Sequence, residues 1–445
     1  MWERLRSIWT IPDLRKKILF TIAMLLIFRV LAHITVPLSP TEHKALTGLF
    51  SQSGGNQNLA QLLGLLDVFS GGSLQQFSIV ALGVYPYITA TIVMQLLQPI
   101  IPALENMMRE GESGRLRFSQ ITRIIAVPLA FLQALGQAAI FERANVLTNF
   151  NLFSSAYWLE SLAILITLTA GTMILVWLGE LITENGIGNG ISIIIFGGIV
   201  SRIPSFIQSG FTASSSSGSG GGIVSLAVFL LIGLITIIGI VYIYQGQRRV
   251  PIEYPTKRMV GRGMLVGTAQ RTYIPMQVNS AGMIPLIFAQ SMLIFPAVLS
   301  QYLVGSNTAW LQTVATWVGT NIANTSLWYY WAIYFILVVA FTYFYAYVVW
   351  QQQNIPDNLQ KQGAHIPGYR PGETTRRYLN EILNRITLAG ALFLGIVAIL
   401  PFLARVGGNQ LLSSAALLIV VGVVLDTVRQ IEAQMVMRNY SCFLT

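Results

Sequence analysis

Apolar residues along this chain come in long unbroken runs rich in Ile, Leu and Val, and the Arg and Lys residues gather between them. Ten such runs stand out, at 18–38, 77–101, 121–140, 158–177, 187–206, 223–244, 276–298, 328–350, 386–403 and 411–425. A helix needs about 20 mostly apolar residues to cross the hydrocarbon core of a bilayer, whereas barrel strands would alternate over about ten. The runs do not alternate, so the pattern predicts an all-α polytopic membrane protein with ten transmembrane helices. Two runs are weaker: glycine interrupts the fifth, and the tenth is short.

Composition agrees with that pattern. Of the 445 residues, 54% are hydrophobic and only 10% charged. A soluble domain is roughly a quarter charged, so this chain cannot cover a water-exposed surface of its own size. The first 17 residues carry five basic side chains, and no small-residue cleavage site follows the first apolar run. That run is therefore expected to be a retained span rather than a cleaved signal peptide. Cys442 is the single cysteine, which excludes an intrachain disulfide.

The basic residues orient the spans, because Lys and Arg concentrate in cytoplasmic loops. With the N-terminus inside, 22 of the 27 Lys and Arg fall in the two termini and the loops after spans 2, 6 and 8. Lys44, Arg143, Arg202 and Arg405 fall on the other side, and Arg29 lies inside span 1. A missed span would reverse every later loop, so both termini are expected in the cytoplasm. The net charge of +10 follows from this asymmetry, and such charges also meet anionic lipid. The loops after spans 6 and 8 are longer than topology requires, which makes them candidate partner sites.

The chain divides at a Ser/Gly tract, 209–222 (SGFTASSSSGSGGG), which reads as a flexible external loop. It separates an N-terminal half, 1–208, from a C-terminal half, 223–428, with a tail at 429–445. The halves echo one another. Gly83, Pro86 and Ile88 in the second span of one half match Gly282, Pro285 and Ile287 in the second span of the other. Gly/Pro-interrupted spans at corresponding places point to two pseudo-symmetric halves, an inverted repeat, with the working site between them; two ordinary kinks would satisfy the same spacing. Residues 59–76 hold an apolar run too short to cross, broken by Gly71 and Gly72. A re-entrant piece fits, and non-helical backbone at that depth must be buried in protein or line a cavity.

Little conventional chemistry is visible. Few ionisable residues lie inside the runs, among them Arg29 and His33 in span 1 and Glu160 near one end of span 4, with Glu180 and Asp426 at span edges. Ion-coupled transporters carry such groups at the midplane, and the two glycine/proline spans have none. The three histidines lie in separate segments, so no metal-ligand spacing exists. Gly186, Gly188 and Gly190 open a membrane helix without a preceding strand, which is not a dinucleotide fingerprint. No phosphate loop, catalytic constellation or cofactor is expected. The residues alone leave a channel, a secondary transporter of a small solute, or a structural scaffold.

Several runs carry a resemblance. Residues 66–72 (LDVFSGG) and 77–90 (FSIVALGVYPYITA) resemble the plug and second helix of the SecY family of protein-conducting channels. Residues 110–115 (EGESGR), 182–192 (ITENGIGNGIS), 247–251 (QRRVP) and 273–285 (YIPMQVNSAGMIP) are similar to its later segments, as are 366–372 (IPGYRPG), 383–387 (LNRIT) and 437–440 (MRNY). They occur in family order. The resemblance implies a passive pore for unfolded secretory chains that releases hydrophobic segments sideways into the bacterial inner membrane. It implies a SecE subunit and SecG, signal peptides and nascent chains as cargo, and the SecA ATPase or the ribosome as driver.

Residue by residue, the resemblance implies a pore ring of Val84, Ile88, Ile191, Ile195, Ile287 and Ile419. The plug would run over about 62–75 and include Leu66, Asp67, Phe69, Ser70, Gly71 and Gly72. Thr89, Asn279 and Phe295 would lie along a lateral gate between spans 2 and 3 and spans 7 and 8. Arg248, Arg249, Lys257, Arg258, Arg262 and Arg370 would face SecA or the ribosome. Asn185 departs from the family pattern, standing where a basic residue is usual, and the Ser/Gly tract is longer than typical.

Overall fold

A computed structural model describes residues 11–36, 42, 45–46, 67, 70–143, 146–147, 157–216, 221–260, 264–279, 281–282, 284–303, 309–321, 327–353, 355–370, 372–403 and 414–441. A helix occupies each of the ten apolar runs. The first half holds α1 (Pro12–His33), α2 (Tyr85–Leu97), a short α3 (Pro102–Arg109), α4 (Glu112–Arg143), α5 (Trp158–Asn185) and α6 (Gly190–Ser216). The second holds α7 (Gly221–Gln245), α8 (Ile284–Leu303), α9 (Ala309–Asn321), α10 (Trp328–Gln353), α11 (Ile355–Lys361), α12 (Glu373–Leu403) and α13 (Ser414–Ser441). Among the described residues, α4, α5, α10 and α12 are each long and apolar enough to cross a membrane unaided.

Local chemistry sets the boundaries. Pro12 sits in the first turn of α1, where its missing N–H is not needed, and Asp13 beside it meets the positive end of the helix dipole. The second run is not one straight helix. Pro99 and Pro102 cannot continue it, and α3 leaves α2 at 104°. The run also begins late: residues 77–84 form turns, and the helix starts only at Tyr85. That non-helical stretch is held by protein. Val36 donates its N–H to the Phe77 carbonyl at 3.0 Å, and Ile79 donates to Ile34 at 3.0 Å. Buried backbone at membrane depth requires such partners.

Two expectations about loops change. The Ser/Gly tract is not a free linker along its whole length, since α6 extends to Ser216 and α7 begins at Gly221. Serine is only mildly unfavourable in a helix that is already running. The seventh run also begins later than its apolarity suggested. Met276 and Gln277 belong to a strand, and α8 starts at Ile284.

That strand closes the only sheet among the described residues, an antiparallel hairpin of β1 (Gln247–Val260) and β2 (Met264–Gln277), with Gln247 opposite Gln277 and Val260 opposite Met264. The long loop after the sixth run is thus a rigid arm. Its root packs Val250, Ile252 and Met276 against Leu359, Ile366, Leu379 and Ile382 of the segment after α10. Backbone seals the joint: Glu253 donates to the His365 carbonyl at 2.9 Å, and His365 donates back at 3.0 Å.

The largest apolar cluster lies where the two halves meet, drawing on α1, α2, α5, α6, α7, α8, α10, α12 and α13. On the opposite side from the hairpin, Trp310, Trp317 and Trp328 are exposed, as tryptophans at a membrane–water interface are.

Candidate functional site

The centre of that cluster is built from helix beginnings. Gly83 and Gly282 both take left-handed backbone, at φ +60° and +65°, a conformation that glycine alone adopts without penalty. Each turn is followed by a helix with proline in its first turn, Pro86 in α2 and Pro285 in α8. The sequence echo is therefore a repeated device for starting a helix rather than a pair of mid-helix kinks. It brings Val84, Ile88 and Ile287 to the middle of the molecule.

A third start supplies the partners from α6. Asn189 caps it, its side-chain oxygen accepting from the N–H of Ile191 at 3.1 Å and of Ser192 at 3.3 Å. Thr183 Oγ1 accepts from the Gly190 N–H at 2.9 Å, tightening the α5–α6 turn. Ile191 and Ile195 follow on the first turns of α6, and Ile419 comes from the second turn of α13. Val84, Ile88, Ile195, Ile287 and Ile419 are buried in one cluster, with Ile191 packed against it. Six aliphatic side chains from four helices thus meet in one place. Such a surface offers no polar group for a particular ligand and, once dry, excludes ions.

A folded-in segment lies against this core. Asp67, Ser70 and Gly71 are buried. The Asp67 carboxylate pairs with the Arg202 guanidinium of α6 and accepts the Gln75 N–H at 3.2 Å. Arg29 of α1 donates to the Gly71 carbonyl at 2.9 Å. A Cβ on Gly71 would stand 2.6 Å from the Gly198 Cα, so the segment and α6 touch backbone to backbone. Leu66 and Phe69 lie outside the described residues.

A seam runs between α2 and α4 on one side and α8 on the other. Tyr85 donates to the Ser291 carbonyl across it at 2.9 Å. A cavity of about 30 Å³ opens there, lined by Leu82, Tyr85, Gln133, Gln137, Ile140 and Phe295 among others. Thr89 faces this side and accepts from Gln133 Nε2 at 3.3 Å. Asn279 donates to the Gly282 carbonyl at 3.1 Å, a bond within the turn before α8. Phe295 and Thr89 sit at one seam.

Of the basic residues expected to meet partners, Arg248 and Arg249 are exposed at the hairpin root, with Arg249 stacked 4.9 Å over the Tyr273 ring. Arg370 is exposed in the neighbouring loop, its carbonyl accepting from Thr375 Oγ1 at 2.8 Å. Lys257 and Arg258 lie on the far part of β1, where side chains are outside the description, as is the whole of Arg262. Sequence reasoning missed Tyr85, Ser291 and Arg202. Only Arg202 carried a signal, as the one charged residue in the fifth apolar run.

The SecY family model matches residues 78–428. The protein translocase subunit SecY of Streptomyces scabiei is 40% identical over 447 residues, spanning 97% of this chain and 97% of its own length. The chain belongs to the SecY family. Among solved structures, a SecY protein whose plug domain stabilises the closed state of its translocation channel aligns with TM-score 0.60 and 16% identity, covering 95% of this chain and 92% of its own. Sec61 from the canine ribosome–channel complex of the endoplasmic reticulum aligns with TM-score 0.57 and 16% identity, covering 95% and 93%. At that identity the likeness shows the fold, which is the SecY channel fold. As a member of the SecY family, the chain is a multi-pass membrane protein.

Proposed function

We propose that the protein is the central subunit of the Sec protein-conducting channel. It forms a passive pore through which unfolded secretory chains cross the bacterial inner membrane, and it releases hydrophobic segments sideways into lipid. Both termini face the cytoplasm, and the halves 1–208 and 223–428 rock about the central cluster. Val84, Ile88, Ile191, Ile195, Ile287 and Ile419 form the constriction. The segment containing Leu66, Asp67, Phe69, Ser70, Gly71 and Gly72 is the plug, and the α2–α8 seam with Thr89, Asn279 and Phe295 is the lateral gate.

The observation that carries this reading is the convergence of six aliphatic side chains from the start of α2 and from α6, α8 and α13 in one apolar cluster at the junction of the halves. Aliphatic groups from separate helices can part around a moving chain and close again, because their contacts are non-directional. A solute transporter would instead need fixed polar or ionisable groups there.

The protein itself supplies no energy. The hairpin, with Arg248, Arg249, Lys257, Arg258 and Arg262, and the adjacent Arg370 present a basic, rigid cytoplasmic surface on which SecA or the ribosome docks. SecE and SecG complete the membrane assembly.

A cysteine crosslink tests the constriction. Ile287→Cys is combined with replacement of Cys442, and a secretory precursor carrying one cysteine is stalled during SecA-driven import into vesicles. A disulfide that requires both ATP and the signal sequence is the expected result. Translocation without a disulfide at Ile287, Ile88 or Ile419 places the constriction elsewhere; no translocation with SecE and SecA supplied overturns the channel reading.

A further inference from the structure

We infer that the ion pair between buried Asp67 and half-buried Arg202 is a latch that positions the plug and sets how readily the channel opens, an inference that rests on reading this segment as a plug. Among the described residues of the segment, Leu74 is the apolar anchor, fully buried in a cluster with Phe77, Phe141 and Leu165. Ahead of it, the hold of Asp67 and Gly71 on the bundle is polar and comes from two different helices. Arg202 of α6 takes the Asp67 carboxylate, whose side chain is fully buried, and Arg29 of α1 takes the Gly71 carbonyl.

The carboxylate is also wired into its own loop. Asp67 Oδ1 accepts the Gln75 N–H at 3.2 Å, the Asp67 carbonyl accepts the Gly72 N–H at 3.0 Å, and Ser70 Oγ donates to that carbonyl at 3.1 Å. Pulling on Asp67 therefore pulls the loop as one body. One helical turn before Arg202, Gly198 packs its backbone on Gly71, and the Arg202 stem lies along Gly72. Arg202 is thus held where only a glycine-walled loop can reach it.

A buried ion pair adds little to stability relative to an apolar pair of the same size. Removing Arg202 strands the fully buried Asp67 carboxylate, which is strongly unfavourable. Moving the plug away does the same thing reversibly, because Asp67 leaves Arg202 behind. The latch thus favours the seated plug by penalising the half-open state, and an incoming signal sequence must overcome that penalty. Arg202 is a positioning residue here, acting through the plug.

The test uses the complete channel assembly in proteoliposomes, with two readouts: ion leak in the absence of precursor, and transport of a precursor with a defective signal sequence relative to an intact one. Asp67→Asn and Arg202→Gln should each raise both by at least about tenfold. The double variant, with no stranded charge, should fall back most of the way toward the parent. Single variants that seal like the parent, or a double variant that leaks as the product of the two, overturn the latch. If a neutral variant does not accumulate, Asp67→Glu and Arg202→Lys keep the charges but move them; an unchanged leak in both overturns the latch equally. Deletion of 62–75 separates the two levels. Leak on deletion with sealed single variants removes the latch alone, whereas a sealed deletion removes the plug reading beneath it.

Discussion

Tyr85 gives its phenolic hydrogen to the carbonyl of Ser291, 206 residues away in sequence and 2.9 Å away in space. Tyr85 opens α2 and Ser291 lies in α8, so this bond joins the two halves across the seam read as the lateral gate. The acceptor is a backbone carbonyl inside a helix, which cannot swing away. Opening the seam must break the bond and leave a buried hydroxyl to find another partner. Tyr85→Phe removes the donor and keeps the ring. A hydrogen bond of this kind contributes about 1 kcal/mol, so opening should become roughly fivefold easier. Titration of a signal peptide against a photocrosslinker at Thr89 measures this: half-saturation should fall by about that factor. An unchanged value means that the bond is kept in the open state.

Two glycines make opposite predictions. Gly282 has φ +65° and its missing Cβ would lie 3.2 Å from the Tyr244 hydroxyl. Gly282→Ala therefore combines left-handed strain of about 1–2 kcal/mol with a close contact, and should lower the thermal unfolding midpoint of the purified protein. Gly233 sits in α7 with open space where a Cβ would go. Gly233→Ala should leave the midpoint unchanged or raise it, because glycine costs about 1 kcal/mol relative to alanine in a helix interior. Equal effects from the two would mean that the turn before α8 is not the constrained element described.

The helices were readable because apolar runs of membrane length have few other uses, and the loop charges had a single consistent topology. The echo of Gly83 and Gly282 was visible as spacing; its meaning was not, since the same letters serve a kink or a helix start, and only φ distinguishes them. The start of α8 was misplaced because Met276 and Ile274 are as apolar in a strand as in a span. The hairpin was missed although its root alternates, with Val250 and Ile252 buried and Arg249 and Pro251 exposed, because the alternation spans only a few residues and includes a proline. Asp67 was found by its motif, but its partner was not. Arg202 lies 135 residues away, and no local period connects them.

The stacked pair of Arg249 and Tyr273, 4.9 Å apart at the hairpin root, predicts how partner docking depends on salt. Both residues are exposed, so the stack fixes a cation on a rigid surface instead of burying it. Charges of this kind act mainly through association rate and screening. Arg249→Ala and Arg370→Ala should each weaken SecA association severalfold at low ionic strength, with the difference shrinking as salt rises. Surface-binding kinetics at graded salt measure this. A loss that is independent of salt would mean that the arginines act by packing.

Ile252 separates the arm from its cations. It is buried in the cluster that joins β1 to Leu359, Ile366 and Leu379, far along the chain from the aliphatic ring. Ile252→Ala removes a buried branched side chain, a change that costs about 2–5 kcal/mol where the site cannot collapse. The hairpin and the segment after α10 meet through few elements, so the loss should appear as local opening of the joint between Glu253 and His365, whose paired N–H groups lie at 2.9 and 3.0 Å from their acceptors. Amide exchange at these two positions should accelerate by at least tenfold, while exchange in α5 and α6 stays at parent rates. Driven translocation should fall, because a loosened arm no longer presents Arg248 and Arg249 in register with Arg370, and the ion seal should be unaffected. A leak in this variant would show that the hairpin root and the central ring are mechanically coupled, so that partner docking reaches the pore through the packing of β1 and not through the cations alone.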